Sequence, residues 1–292
     1  MPKIIEPNPH IPKPANTWLQ EAVDDLWRSH QAIKDGAKYP GVSTGIKTLD
    51  QHMGGLQEGL FLLLAAPGVG KTRFALHVAR QAALEGYPVV YVTADEGARR
   101  LSVRLACMDS NIRLSNMTMG CDPSLLAKYV EEKPDFFNLI DIQETTNIDP
   151  ASLGKHLKSR IDQHGARIGL LVVDYIQAMA SSMGHKEMRM AVSDLSAAFR
   201  DAALECKSPA LVVSAVSRGQ YDNPTLSAGK ESGDLEFRAD GVFTLSQRDK
   251  STNELELEIQ KNRWGERYKK IDLVVNPSVG TIAESDYLRQ VA

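Results

Sequence analysis

Apolar positions along the chain follow two periods. Continuous apolar runs at 60–65, 88–93, 168–174, 209–214 and 241–246 have the length and the Val/Leu/Ile content of strands covered on both faces. Between them, apolar residues recur at helical spacing over 72–85, 98–111, 151–164 and 188–206. Strands alternating with helices predict an α/β fold, a doubly wound and mostly parallel twisted sheet with helices on both faces. A short run at 139–143 fits an edge strand. The tail segments 254–261 and 270–276, with Trp264-Gly265 between them, fit a C-terminal antiparallel hairpin.

The N-terminal end reads differently. Four prolines between Pro2 and Pro12, and another at Pro14, predict that the first fifteen residues are extended. From Thr17 to about Ala37, Trp18, Leu19, Ala22, Val23, Leu26, Trp27 and Ile33 mark the apolar side of an amphipathic helix. Such a helix packs on its own domain or, at the end of a proline-rich arm, reaches a neighbouring subunit. Residues 1–40 are therefore expected to be an arm and linker helix, and residues 41–292 the α/β domain.

At 292 residues and 42% apolar content the chain is large enough for that domain and its core. A net charge of −3 excludes coating of nucleic acid through overall charge and leaves room for a basic loop or channel. Cys107, Cys121 and Cys206 lack metal-ligand spacing and fit a reducing compartment. The N-terminus has no continuous apolar core of a leader, and no stretch approaches the roughly 18 apolar residues of a membrane span. A cytosolic protein without membrane contact is the expectation.

The clearest chemistry lies where the first run enters a turn, Ala65-Ala66-Pro67-Gly68-Val69-Gly70-Lys71-Thr72, and a helix opens at Arg73. In such a turn the backbone N–H groups of Ala66, Gly68, Val69, Gly70 and Arg73 point inward at the positive end of the helix and cradle a nucleotide's phosphates, with Pro67, which has no N–H, shaping the turn. Lys71 would reach the β- and γ-phosphates, and the Thr72 hydroxyl would hold Mg²⁺. Ala65 stands where the usual pattern begins with Gly. A second run ends in Asp174, the expected carboxylate on the Mg²⁺ side. A third ends in Asp95-Glu96, of which one is the candidate base for the attacking water; alternatively both cap the following helix.

Taken in order, these residues resemble the ATPase domain of DnaB-type replicative helicases, a branch of the RecA-like hexameric motors. Gly41-Val-Ser-Thr-Gly-Ile-Lys-Thr-Leu-Asp50 with Gly55-Leu-Gln is similar to the family's opening segment, and Val173-Asp-Tyr-Ile-Gln177 to its second nucleotide motif. Glu231-Ser-Gly-Asp-Leu-Glu236 with Ala239-Asp240 resembles its late acidic motif, and Lys261-Asn-Arg263-Trp-Gly265 its late basic one. The resemblance implies a RecA-like P-loop NTPase core and an ATP- and Mg²⁺-dependent motor moving 5′–3′ on single-stranded DNA. It also implies a homo-oligomeric ring of six, with a loader or primase among its partners. It makes Lys261 and Arg263 cations that reach into the next subunit's nucleotide site. The segments 181–189, with His185, Lys186 and Arg189, and 217–230, with Arg218 and Lys230, become the DNA-binding loops.

Three departures matter. Ala215 follows Ser214 where the family has a glutamine that senses the γ-phosphate, and an alanine side chain cannot hydrogen-bond. The family's single Glu aligns with Asp95, with Glu96 next to it. Residues 1–40 are too few for the family's helical collar. A nucleotide-dependent regulator or scaffold without unwinding activity therefore stands beside the motor. A RecA-like or clock-like ATPase assembling on a protein partner is a third reading.

Overall fold

The apolar runs become neighbouring strands of one sheet. The computed structural model describes residues 14–119, 122–182, 187–216, 233–247, 249, 251–263 and 265–285. The strands are β1 (Gly59–Ala65), β2 (Val89–Thr93), β3 (Ile140–Glu144), β4 (Leu170–Asp174), β5 (Pro209–Ala215), β6 (Gly241–Ser246), β7 (Glu254–Asn262), β8 (Lys270–Val275) and β9 (Ile282–Glu284). Among the described residues they form a nine-stranded sheet in the order β3-β2-β4-β5-β1-β6-β7-β8-β9. The pairs from β3 to β6 are parallel, and those from β6 to β9 antiparallel.

The helices are α1 (Ala15–Lys34), α2 (Lys47–Met53), α3 (Lys71–Leu84), α4 (Ala98–Ser110), α5 (Leu114–Thr118), α6 (Ser124–Glu132), α7 (Pro134–Asn138), α8 (Pro150–His164), α9 (Ile176–Ser181), α10 (Met188–Glu205) and α11 (Gly233–Arg238). Alternation along the central strands divides the core in two. Phe61, Leu63, Tyr91, Val172 and Val213 join the apolar side of α3 and α4. Leu62, Val92, Val173 and Val212 join α8 and α10 on the other face. Both faces being covered, the strands carry unbroken apolar runs.

The opening segment folds around a buried carboxylate. Asp50 accepts from the Ser43 hydroxyl at 2.7 Å and from the Thr44 amide and hydroxyl at 2.8 and 2.7 Å. These bonds hold the Asp50 carboxyl below the level that burial alone would set, although burial still leaves it raised.

Residues 1–40 and 41–292 are two separate units. In the first, α1 runs over Ala15–Lys34 rather than 17–37: it starts directly after Pro14, so Ala15 is helical, and it stops before Asp35-Gly36. No α1 residue is buried, and Trp18, Leu19, Leu26 and Trp27 are more than half exposed. The arm before Pro14 lies outside the described residues, as does Cys121. Cys107 and Cys206 are buried free thiols. The short elements α2, α5, α6, α7, α9, α11 and β9 have too few residues to show a period in the sequence.

Candidate functional site

Four strand ends meet at one edge of the sheet. Ala65 is in register with Ala215, and Thr93 with Asp174, which puts the ends of β1, β5, β2 and β4 side by side. Ligands of open α/β sheets bind at this carboxyl edge. A cleft of about 330 Å³ opens there, floored by Pro67, Gly68 and Gly70 and walled by Asp95, Glu96 and Asp174.

The turn is built for backbone donors. Gly70 is the N-cap of α3 with φ 116°, a conformation only glycine takes without strain, and no side chain caps the helix. The first amides of this 14-residue helix therefore face the turn. Ala65 replaces the usual glycine without difficulty because it is still the last residue of β1, buried and strand-paired on both sides. Ala66, Pro67 and Val69 lie in the turn itself.

Lys71 and Thr72 open α3. The Lys71 ammonium donates to the carbonyls of Ala65 and Ala66 at 3.2 and 2.9 Å, folding back over the turn. Burial lowers its pKa, against the attraction of Asp174 and Asp95. Asp174 is 3% exposed, and burial raises its pKa against hydrogen bonds from Thr72 and Tyr91 and the charge of Lys71. The Tyr91 hydroxyl donates to Asp174 Oδ2 at 2.8 Å. The Thr72 hydroxyl and the Asp174 carboxylate, bonded to each other beside Lys71, are the hard oxygen donors that Mg²⁺ takes. Burial disfavours the charged form of Lys71 and of Asp174 alike; a bound phosphate would favour the charged ammonium, and a bound Mg²⁺ the ionised carboxylate.

The two adjacent acids differ. Glu96 is ion-paired with Arg104 on the second turn of α4, and its carbonyl accepts from the Thr93 hydroxyl at 2.9 Å. Asp95 is exposed at the mouth of the cleft, where it acts electrostatically on Lys71 and Asp174. Neither caps α4: Gly97 is its N-cap, without a side-chain bond, and the Ala98 amide donates to Glu144 at 3.0 Å. Arg73 lines the same cleft. Its Nε has no hydrogen-bond partner among the described residues, and burial together with the nearby Arg104 lowers its pKa.

Ala215 also borders the cleft, and its backbone is clamped by Gln177. The Gln177 amide donates to Ser214 Oγ at 2.7 Å and to the Ala215 carbonyl at 3.1 Å, and its oxygen accepts from the Ala215 amide at 3.1 Å.

Lys261 and Arg263 are not brought to this cleft. Arg263 follows β7, whose Asn262 pairs with Gly241 at the start of β6, the opposite edge of the parallel strands. Its Nη1 lies 2.7 Å from Asp240 Oδ1. Lys261 donates to the carbonyls of Glu236 and Phe237 at 2.7 and 3.2 Å. From Leu60, where Asp240 is bonded, to Ala65 the sheet spans roughly 16 Å. Among the DNA-binding expectations, Arg189 lies exposed in the first turn of α10. Lys186, Arg218 and Lys230 lie outside the described residues, as do His185 and Trp264.

Tyr91, Arg104 and Gln177 are site neighbours that sequence reasoning gave no role. Tyr91 is an aromatic with a polar tip inside an otherwise aliphatic run, and Arg104 sits eight positions after Glu96 on the helix that follows. Those were the available signals.

Residues 41–283 match the family described as the DnaB-like helicase C-terminal domain. The replicative DNA helicase DnaB of Geobacillus stearothermophilus is 30% identical over 262 residues, covering 85% of this chain and 57% of that protein. The chain thus spans about half the length of the curated relatives it matches. A solved DnaB-like replicative helicase, described with its interactions with primase, superposes with a TM-score of 0.74 at 21% identity, over 89% of this chain and 66% of that one. A KaiC-like protein of Pyrococcus horikoshii gives 0.57 at 24% identity, over 84% and 99%. These likenesses establish a RecA-like α/β fold. No helix among the described residues is long and apolar enough to cross a membrane.

Proposed function

The chain belongs to the DnaB-like helicase C-terminal domain family, and from that premise we propose that it is the ATPase core of a DNA helicase or translocase that hydrolyses ATP at seams between copies of itself. One observation carries the reading: the phosphate-binding turn and Arg263 occupy opposite edges of the sheet, so a cleft that includes the arginine needs a second copy. A contact between two different faces is heterologous and closes into a ring when the rotation permits. The family's ring of six follows by resemblance.

In this site the amides of Ala66, Gly68, Val69, Gly70 and Arg73 bind the phosphates, and Lys71 leaves the Ala65 and Ala66 carbonyls to take the β- and γ-oxygens. Thr72 and Asp174 would hold Mg²⁺, which, when bound, neutralises charge on the β- and γ-oxygens. Asp95 or Glu96 takes the proton of the attacking water, Glu96 within its Arg104 pair and Asp95 from the open mouth. Lys261 and Arg263 of the adjacent copy stabilise the transferring phosphoryl, an effect worth about 10³ to 10⁵ in rate. Residues 1–40 act as an arm whose helix α1 docks on a neighbour, and residues 41–292 as the motor.

Arg189, with Lys186, Arg218 and Lys230, grips DNA phosphates without regard to sequence, and movement is 5′–3′ by resemblance. A loader or primase is the expected protein partner, and the cytoplasm the expected compartment. The second reading, a nucleotide-dependent regulator without unwinding activity, is favoured by Ala215 in the cleft, which has no side-chain group to sense the γ-phosphate. The test is ATP hydrolysis with and without single-stranded DNA, together with strand displacement on a forked duplex. Stimulation and displacement support the motor, and hydrolysis indifferent to DNA supports the regulator.

A further inference from the structure

Arg263 is held by a residue that nothing above has given a task. Asp240, 3% exposed, precedes β6 and spends both carboxylate oxygens within its own chain. Oδ2 accepts from the Leu60 amide at 2.9 Å, while the Asp240 amide donates to the Leu60 carbonyl at 2.7 Å. Oδ1 faces Arg263 Nη1 at 2.7 Å, and the Arg263 amide donates to the Asp240 carbonyl at 2.9 Å. The carboxylate sits so close to β1 that a Cβ on Gly59 would overlap Oδ2.

Resting on the reading of Arg263 as the cation delivered to the next subunit, we propose that Asp240 is the positioning residue that presents it. A long flexible side chain loses much of its electrostatic value unless its orientation is set before the reaction. Here the Arg263 amide is fixed to the Asp240 carbonyl and one end of its guanidinium to the buried Asp240 carboxylate, which is itself fixed to the central strand β1. A guanidinium carries five donors in a fork. The bond through Nη1 orients that fork and leaves its other donors for a phosphate. Arg263 is 42% exposed at its side chain, as a group that must reach another molecule has to be.

The local charges need such a partner. Lys261 and Arg263 repel each other, and this repulsion joins burial in lowering the Lys261 pKa. Arg200 Nε, which has no hydrogen-bond partner among the described residues, lies 3.5 Å from Asp240 Oδ2 and adds a third cation. Asp240 touches both arginines, at 2.7 and 3.5 Å, and Glu236 adds a second carboxylate charge beside Lys261. A purely structural task, neutralising Arg200 and pairing with β1, would leave the presentation of Arg263 unaffected, and experiment separates the two.

The experiment mixes chains. Asp240→Asn keeps an acceptor for the Leu60 amide and loses the ion pair. Alone it is expected to lower kcat for ATP about 100-fold with KM unchanged, the size of effect that misplacement of a catalytic group produces. Mixed with Lys71→Ala chains, it should regain activity. A seam taking Lys71 from the Asp240→Asn chain and Arg263 from the Lys71→Ala chain is complete. A structural defect would spoil the Asp240→Asn chain as a Lys71 donor too, and mixing would restore nothing. That outcome, or parental turnover in Asp240→Asn, overturns the proposal. Arg263→Ala separates this failure from that of the reading beneath it. If Arg263→Ala turns over ATP normally, the trans reading falls and this proposal with it; if Arg263→Ala is impaired and rescued by mixing while Asp240→Asn is not, only the positioning role falls.

Discussion

Tyr91 and Asp174 are bonded across two adjacent strands, the phenol donating to Oδ2 at 2.8 Å. Tyr91 is in register with Val172, so Asp174, two residues on, shares its face of the sheet. The bond helps keep ionised a carboxylate that burial pushes toward its neutral form. Tyr91→Phe is predicted to cost about 1.5–3 kcal/mol of stability, the range for hydrogen bonds to charged groups. It also removes a contact that lowers the Asp174 pKa, so the acid limb of the ATPase pH profile should move to higher pH and the Mg²⁺ requirement should rise. Both are read from turnover against pH and against Mg²⁺, and an unmoved profile would contradict the role given to Asp174.

Glu96 is committed to Arg104 while Asp95 is not so paired, and the two carboxylates should therefore separate by mutation. Asp95→Asn is predicted to lower kcat by about 100-fold or more, the usual scale of a lost general base. Glu96→Gln should cost less, and chiefly through release of Arg104 into the cleft. The reverse ranking in single-turnover hydrolysis would make Glu96 the base and Asp95 an accessory charge.

His77 on α3 is buried, with neither ring nitrogen bonded among the described residues, and burial followed by the charge of Arg80 lowers its pKa to about 4. The unfolded imidazole has a pKa near 6.5, so on acidification the unfolded chain takes up this proton first. The His77 contribution is then complete above about pH 6.5 and declines toward pH 4, by about 3 kcal/mol in all. Urea unfolding at intervals between pH 7 and 4 should show that slope in the parent and a shallower one in His77→Met. Parallel slopes would mean that His77 is reached by water.

Gln177 closes the end of β5 with three bonds, and β5 runs on toward the candidate DNA segment 217–230. Gln177→Ala is predicted to lower stability by about 1–3 kcal/mol, since it leaves the Ala215 amide and carbonyl without these partners. Stimulation of hydrolysis by single-stranded DNA should fall further than basal turnover does. Equal loss of both would confine Gln177 to holding the fold.

The sequence carried the core of this architecture because the strands at its centre are covered on both faces and read as unbroken runs: 241–246 was found to the residue and 170–174 within two. The phosphate-binding turn was legible for the same reason, a buried strand feeding a helix through Gly68 and Gly70. What stayed hidden depends on contacts distant in sequence. Nothing in the spacing of Glu96 says that Arg104 will claim it, or that Glu144, 46 positions from Ala98, will cap α4 in place of the acids beside it. Asp240 looked like part of a motif, and its bond to Leu60, 180 positions away, exists only once β6 lies against β1.

In the proposed ring, ATP is cleaved between copies, Lys71 coming from one and Arg263 from the next. The most direct measurement is the ATPase rate of Lys71→Ala and Arg263→Ala chains, each alone and then mixed at equal concentration. Each alone should be inactive, and the mixture should regain a fraction of parental turnover, because some seams then combine an intact Lys71 with an intact Arg263. A mixture as inactive as its components, or Arg263→Ala chains as active as the parent, would contradict the account.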